Sequence, residues 1–252
     1  MLNLLFALVG LLLGGVINLL ADYLPASERP LRPHCPRCRH VYEPAGWLAL
    51  IRQLQRGGRC SQCELPPRRR PLLVEVGMAL LFAMLPSLIP NLATLIVNSF
   101  HIAVLVLIIV IDLENRLIFD VVTYPATVLA VVGSLVVTRA ENTLPLALAG
   151  AVAGFVFFYI LYWLAQLIYG SGSGALGGGD VKLAMAMGAM LGFHRIFFAL
   201  FLGIALGGVV TLLLLLSRRV NRYTHLPYGQ YLALAGIIML IWGTQVAEQY
   251  IN

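Results

Sequence analysis

The chain has 252 residues, of which 60% are hydrophobic and 11% are charged, and its mean hydropathy is +0.88. A soluble domain carries about a quarter charged residues, so this composition excludes an ordinary water-soluble protein and predicts a polytopic membrane protein. The net charge of +6 does not require nucleic acid as a partner, because membrane topology and anionic lipid head groups account for it.

Eight apolar stretches predict membrane-spanning helices, at 2–21, 72–89, 94–112, 121–138, 144–169, 181–193, 196–216 and 229–247. The first stretch has no basic region before it and no small-residue cleavage site, so we expect it to be retained and not removed as a signal peptide. The sequence therefore predicts an all-α membrane helix bundle of about eight transmembrane helices. The stretch at 181–193 is the shortest of them.

The basic residues are unevenly distributed along the chain. Ten of the seventeen Lys and Arg residues lie within 25–70, and the positive-inside rule places that segment in the cytoplasm and Met1 outside. Alternation through the spans then puts the cluster of Arg218, Arg219 and Arg222 on the cytoplasmic side as well. The predicted domains are a first transmembrane helix at 1–24, a cytoplasmic loop domain at 25–71 and a membrane-embedded core at 72–252.

All four cysteines lie in this loop, as two CxxC pairs: Cys35 with Cys38, and Cys60 with Cys63. This arrangement is typical of a tetrahedral structural zinc site. Disulfide bonds are the alternative, but a cytoplasmic location argues against them. A loop of this length has too little apolar core to fold alone, so a metal would stabilise it. The neighbouring His34 and His40 are expected to be bystanders, since four thiolates complete the shell.

Acidic residues at the ends of spans are costly and usually functional. Glu75 is expected to pair with the arginines that precede the second span, and Asp22 to be a solvated boundary acid. Asp112 closes the third span and Asp180 opens the sixth, so both would lie at the cytoplasmic face. Two carboxylates that converge there could share one proton and act as the acid and base of an aspartic protease. The helix dipole favours Asp180 as the base and Asp112 as the acid.

Small residues surround the second of these acids. The run Gly177, Gly178 and Gly179 would let the backbone approach a substrate strand closely or adopt a positive φ. After Asp180, small residues recur every four positions at Ala184, Gly188 and Gly192, a pattern that predicts close helix packing in lipid.

These motifs together resemble the type IV prepilin peptidases, membrane aspartic proteases of the GxGD type. The similarity rests on "IDLENRLIFDVVTYP" (111–125), "GALGGGDVKLAMAMGAMLG" (174–192), "LPYGQYLALAG" (226–236) and the two CxxC pairs. The family usually has proline where this chain has Phe119. The resemblance implies that Asp112 and Asp180 are the catalytic pair, with Asp120 as the rival for the first position.

The resemblance also implies an activity and a location. Members of the family cleave the basic leader of prepilins or pseudopilins at the cytoplasmic face of the bacterial inner membrane. Many of them then methylate the new N-terminus with S-adenosylmethionine, and this second activity accompanies the cysteine loop, although that loop could equally be a structural platform. The sequence contains no recognisable methyl-donor site.

A different class of function is compatible with the same acids. A non-catalytic membrane assembly protein or a cation-coupled transporter with a zinc adaptor loop would use Asp112 and Asp180 to bind a cation or a proton. A transporter should place its polar groups near the middle of the bilayer, whereas these two acids lie at the cytoplasmic boundary. The peptidase hypothesis is therefore preferred.

Overall fold

The computed structural model describes residues 1–25, 32–35, 37–137, 142–170, 177–217 and 228–251. Within these ranges the regular secondary structure is helical, apart from one antiparallel bridge between His34 and Val41. The helices are α1 (Leu2–Tyr23), α2 (Ala49–Arg56), α3 (Arg69–Leu88), α4 (Leu92–Asn115), α5 (Asp120–Val136), α6 (Leu144–Tyr169), α7 (Gly178–Leu191), α8 (Phe193–Leu216) and α9 (Gly229–Ile251). The all-α prediction is confirmed.

Each predicted span corresponds to one helix, and α2 is an additional helix within the cysteine loop. Five helices, α1, α3, α4, α6 and α8, are long and apolar enough to cross a membrane, while α5 and the described part of α9 are shorter apolar helices. Helix α7 has 14 residues, of which ten are buried. Its length of about 21 Å is less than the roughly 30 Å of hydrocarbon in a bilayer. The short stretch predicted at 181–193 is thus enclosed by other helices. The arginine cluster at 218–222 lies outside the described residues.

The chain forms two compact units, Met1–Leu95 and Ile96–Asn252. In the first unit α1 lies along α3, and two glycines one turn apart on α1 allow the contact. A Cβ atom on Gly14 would lie 2.7 Å from Cα of Glu75, and one on Gly10 would overlap the backbone of Met78. Larger residues at either glycine would separate the two helices.

The cysteine region of the first unit is tied to α3 by Glu75. Its two carboxylate oxygens each accept a hydrogen bond of 2.8 Å, from the N–H groups of Ala49 and Leu50. These are the first amides of α2, whose N-cap residue Leu48 has no side-chain acceptor of its own. The acid therefore caps a neighbouring helix.

An ion pair at the membrane boundary involves the second acid of this region, Asp22. The guanidinium of Arg70 lies 2.9 Å from the carboxylate of Asp22, whose side chain is 42% exposed. Asp22 is therefore partnered, and not merely solvated as the sequence suggested.

In the second unit, α7 is the central helix, packed against α5, α6, α8 and α9. Gly188 of α7 and Gly150 of α6 face each other, and a Cβ on either one would overlap the backbone of the other. A Cβ on Gly154 of α6 would overlap the carbonyl of Ala184 in α7. The close packing predicted for the small residues of α7 is confirmed at Ala184 and Gly188. It brings two backbones together without intervening side chains.

Helix α4 is joined to α9 along much of its length. The side-chain amide of Asn98 donates a 2.8 Å hydrogen bond to the carbonyl of Leu240. Further along, a Cβ on Gly236 would lie 3.1 Å from Leu105. These contacts place the carboxyl end of α4 beside the amino end of α9, where the candidate site lies.

The contact between α6 and α7 makes a direct prediction about stability. Gly188→Val should lower the midpoint of thermal unfolding of the detergent-purified protein, by the equivalent of about 1–3 kcal/mol or more, because the added methyl groups overlap the α6 backbone. The matched control is Gly208→Val on α8, where a Cβ would meet nothing within 4 Å. Equal melting temperatures for the two variants would contradict the observed packing.

Candidate active site and metal centre

The four cysteines predicted to bind metal come together in the first unit. All four sulfur atoms lie within 4.8 Å of one another. The Sγ atoms of Cys35 and Cys63 are 3.5 Å apart, and those of Cys38 and Cys60 are 3.7 Å apart. Sulfurs bound tetrahedrally at the usual Zn–S distance of about 2.3 Å would be separated by roughly 3.8 Å. No disulfide joins these four cysteines, and the cluster fits zinc.

Two matching turns carry these thiols. In each turn the carbonyl of the first cysteine accepts a hydrogen bond from the N–H four residues later, at 3.0 Å from Arg39 and 3.1 Å from Glu64. Both of these residues have a left-handed backbone, with φ values of 57° and 52°. The repeated geometry directs both CxxC pairs towards one point, as expected for a metal site.

The backbone also prepares the thiols to ionise. Burial raises the pKa of the Cys35 thiol, but hydrogen bonds from backbone N–H groups, including that of Cys38, lower it to about 6 overall. Burial also raises the pKa of Cys60, but the hydrogen bonds from the N–H groups of Cys63 and Gln62 and from the Cys38 thiol together lower it. The pKa of Cys38 is raised to about 12 despite the N–H of His40, because desolvation and the neighbouring sulfurs disfavour another negative charge. A divalent cation would reverse that last effect and hold all four thiolates.

The second unit contains the two predicted catalytic acids, and both are buried. Asp112 is 4% exposed and lies in the last turn of α4, and Asp180 is 7% exposed and lies in the first turn of α7. One oxygen of each carboxylate accepts a backbone hydrogen bond. Oδ2 of Asp112 accepts from the N–H of Gln230 at 2.9 Å, and Oδ2 of Asp180 accepts from the N–H of Gly177 at 3.1 Å.

The structure places the two acids at either end of one series of contacts. A contiguous set of atoms connects them: a Cβ on Gly229 would lie 3.1 Å from Oδ2 of Asp112 and 2.7 Å from Ile118, and a Cβ on Gly179 would lie 2.8 Å from the same isoleucine. The site is thus formed by the end of α4, the loop after it, and the beginnings of α7 and α9.

Asp120, the rival acid, has a different environment. It opens α5, its side chain is 55% exposed, and its two oxygens lie 2.6 and 2.7 Å from the ammonium of Lys182. Lys182 is two residues beyond Asp180 on α7. The ion pair therefore connects α5 to α7 and neutralises the charge of Asp120.

The three glycines before Asp180 differ in what they permit. Gly177 has a φ of −85°, and Gly178 and Gly179 belong to α7, so of the two alternatives expected for this run the positive φ is not the one adopted. A Cβ on Gly178 would meet nothing within 4 Å, whereas one on Gly179 would collide with Ile118. Gly179 is thus required for a close approach to Ile118 of the same chain. The expected close approach of a substrate strand to these glycines stays a prediction.

Sequence reasoning missed several residues of the site. Lys182, Ile118 and Gly229 were not singled out as residues of the site. Gly229 lies within the motif "LPYGQYLALAG", so that motif was the available signal for it. Nothing in the local sequence signals the role of Ile118, because its contacts join residues more than fifty positions apart.

Two family models match the chain, and the matched ranges fall within the two compact units. The model of the type IV leader peptidase family covers residues 99–212, and that of the bacterial peptidase A24 N-terminal domain covers residues 8–88. No solved structure matches the chain.

Several curated relatives, each a prepilin leader peptidase/N-methyltransferase, are similar over most of the chain. The protein of Aeromonas salmonicida (strain A449) is 34% identical over 88% of this chain and 75% of its own length. That of Aeromonas hydrophila is 33% identical over 92% and 78%, respectively. That of Pseudomonas aeruginosa is 28% identical over 97% and 92%.

The cysteine geometry predicts the metal content of the protein. Full-length protein purified without chelator should contain about one zinc per chain by elemental analysis, and Cys60→Ser should lose most of it, since three thiolates no longer complete a structural shell. The controls are His34→Ala and His40→Ala, which should retain the metal. Zinc retained by Cys60→Ser, or lost on substitution of either histidine, would contradict the four-thiolate site.

Proposed function

Because the chain belongs to the type IV leader peptidase family, we propose that it removes the N-terminal leader of type IV prepilins or pseudopilins with an aspartate dyad formed by Asp112 and Asp180. The observation that supports the proposal is the pair of buried carboxylates, which lie on helices far apart in sequence and are linked through contacts of Gly229, Ile118 and Gly179. Such pairs are the acid–base machinery of aspartic proteases.

The chain is a multi-pass membrane protein, and we place it in the bacterial inner membrane. Ten of its seventeen Lys and Arg residues lie within 25–70, which favours a cytoplasmic location for that segment. The same basic segment would attract anionic lipid head groups. In this orientation the cysteine cluster and the acid pair face the cytoplasm, where the basic leader of a membrane-inserted prepilin lies.

The proposed reaction is peptide hydrolysis through a tetrahedral intermediate. Asp180 takes a proton from a water molecule, and the water oxygen attacks the carbonyl carbon of the scissile bond. Asp112 gives its proton to the carbonyl oxygen. The intermediate then collapses: the C–N bond breaks, the nitrogen takes a proton from Asp180, and Asp112 recovers its own. One water is consumed, and the products are the leader acid and the new N-terminal amine.

The helix termini support this division of roles. Asp180 lies in the first turn of α7, where the helix dipole stabilises a negative charge, and Asp112 lies in the last turn of α4, where the dipole disfavours one. The backbone hydrogen bonds hold Oδ2 of each acid. We therefore infer that Oδ1 of each acid handles the proton and the attacking water.

Asp120 is assigned a positioning role in this proposal. A catalytic carboxylate must exchange protons, and an exposed carboxylate held by two short contacts to an ammonium group is poorly suited to that. Its ion pair with Lys182 instead fixes the first turns of α5 and α7 relative to each other. Asp180 lies in the same first turn of α7.

We also propose that the chain methylates the amine that cleavage exposes, as the names of its relatives imply. S-adenosylmethionine supplies the methyl group in such reactions: an N–CH₃ bond forms as the sulfonium S–CH₃ bond breaks, and the amine loses a proton. Zinc at Cys35, Cys38, Cys60 and Cys63 would have a structural role, since four thiolates leave no open position. Relatives with peptidase names do not favour the transport alternative.

Substitution of the acids tests the dyad. With purified enzyme and a prepilin, Asp112→Asn and Asp180→Asn should each reduce leader removal by about 10³-fold or more, because each abolishes one proton transfer. Asp120→Asn should reduce it by less than about tenfold. Product mass measures the loss of the leader, and melting temperature verifies folding. Near-normal cleavage by a folded Asp112→Asn or Asp180→Asn enzyme would exclude that residue from the dyad.

A matched pair of glycine variants tests the positioning of Asp180. Gly179→Ala should reduce leader removal by about 10- to 100-fold, because its methyl group would displace Ile118 or shift the adjacent acid. Gly178→Ala should leave cleavage near that of the parent, since its Cβ meets no atom. Both changes raise helix propensity equally, so equal cleavage rates would show that the contact with Ile118 does not position the acid.

A further inference from the structure

The first unit contains a cavity that the peptidase mechanism does not use. It has a volume of about 310 Å³ and lies between the carboxyl half of α1, the amino end of α3 and the cysteine region. This volume is at the lower end of the roughly 300–1,000 Å³ typical of small-molecule sites. The cavity has room for one small polar group, such as a lipid head group, and not for a folded segment of another protein.

The wall of this cavity is strongly basic. Five arginines line it, contributed by the cysteine region and by the beginning of α3: Arg32, Arg52, Arg68, Arg69 and Arg70. The two carboxylates of the wall are already engaged. Asp22 lies 2.9 Å from the guanidinium of Arg70, and both oxygens of Glu75 accept hydrogen bonds from the first amides of α2. The wall therefore favours a ligand with a negative charge.

The beginning of α3 adds a second feature that suits an anion. The helix begins at Arg69, and its N-cap residue, Arg68, makes no side-chain hydrogen bond to the first amides. Residues 68–72 all line the cavity. Amides of the first helical turn have no partner within the helix, and the helix dipole is positive at that end. A phosphate placed there would accept hydrogen bonds from amides and guanidinium groups together.

A buried acceptor indicates that the ligand also donates a hydrogen bond. Asn18 lines the cavity and is 7% exposed. Its amide nitrogen donates a 3.0 Å hydrogen bond to the carbonyl of Pro71, while its Oδ1 atom is buried without a partner among the described residues. A buried acceptor without a donor is unfavourable. A hydroxyl group on the ligand would satisfy it without adding a positive charge beside the arginines.

The position of the cavity favours a lipid over a soluble molecule. It lies at neighbouring ends of α1 and α3, which are both long and apolar enough to cross a membrane. Leu72 lines the cavity, and Val76 and Leu80 follow it at intervals of about one turn on the same side of α3. These two side chains are 36% and 63% exposed. An acyl chain therefore has an apolar surface along α3, next to a head group in the cavity.

We propose that this cavity binds the head group of an anionic phospholipid that carries a phosphate and a free hydroxyl, the chemistry of phosphatidylglycerol. The phosphate binds the arginines and the first amides of α3, and the hydroxyl donates to Asn18. The bound lipid thereby holds the cysteine region against α3. This is a site selective for one head group, which goes beyond the general attraction of a basic segment for anionic lipid. It does not depend on the acid pair or on the proposed reaction.

Lipid binding by the full-length protein tests the site. Protein in neutral detergent, with zinc, is titrated with phosphatidylglycerol or with phosphatidylcholine of the same acyl chains, and bound lipid is counted by native mass spectrometry. The parent protein should bind one phosphatidylglycerol at least about tenfold more tightly than phosphatidylcholine, because the choline group is cationic. A parent protein that binds the two lipids equally would overturn the proposal.

Arginine variants separate the cavity from diffuse electrostatic attraction. Arg32→Gln and Arg69→Gln should each weaken binding of phosphatidylglycerol by about tenfold, since each removes a charge-assisted hydrogen bond. The matched control is Arg59→Gln, because Arg59 is equally exposed in the cysteine region but does not line the cavity. It should bind like the parent protein. Equal losses in all three variants would overturn the site.

Two further ligands identify the groups that are recognised. Phosphatidylmethanol has the phosphate without the hydroxyl, so the parent should bind it about threefold or more weaker than phosphatidylglycerol. Asn18→Leu should abolish that difference, and Asn3→Leu, the same change at a residue of α1 that donates to Ser87, should preserve it. Glycerol phosphate lacks the acyl chains and should bind far more weakly than the lipid. Glycerol phosphate bound as tightly as the lipid would overturn the lipid assignment in favour of a soluble phosphate.

Discussion

Two carboxylates withdrawn from water are the constraint on which the second unit depends. The chain has only eleven acidic residues, and a buried carboxylate is costly unless it is hydrogen-bonded or shares its proton. Asp112 and Asp180 each receive a backbone N–H, from the beginnings of α9 and α7. Those donors are amides at helix starts, where N–H groups lack partners within the helix. Asp112 therefore requires the end of α4 to meet the beginning of α9, whereas Asp180 accepts its hydrogen bond from the N-cap residue of its own helix.

Close backbone packing maintains that meeting point. Because lipid offers helices no hydrophobic drive to associate, small residues that permit tight van der Waals contact determine which helices pair. Gly150 and Gly188 bring α6 against α7, and Gly179 lets the start of α7 reach Ile118. The cysteine region depends on different interactions, a four-thiol cluster and the cap that Glu75 provides to α2. Close helix packing thus stabilises the second unit, whereas a thiol cluster and a helix cap stabilise the cysteine region of the first.

The sequence was sufficient for the features that depend on local pattern. Apolar length located the helices, CxxC spacing located the thiol cluster, and the four-residue recurrence located the packing face of α7. It was insufficient for partners that only the tertiary fold brings together: Glu75 caps α2, and Lys182 neutralises Asp120. The need for Glu75 is indirectly visible in the sequence. Leu48, which precedes α2, has no side-chain acceptor, so the first amides of α2 must find an acceptor elsewhere. That Asp112 and Asp180 act together as one catalytic pair stays a prediction.

The central claim is that these two acids act as one unit on a tetrahedral intermediate. The most direct measurement is the affinity of a non-cleavable prepilin peptide in which a secondary alcohol replaces the scissile carbonyl, since such a group mimics the intermediate. The account predicts that Asp112→Asn and Asp180→Asn each weaken binding by about 10²-fold and that the double variant is no weaker than either, because interacting residues are non-additive. Losses that add, or a single variant that binds as tightly as the parent, would contradict it.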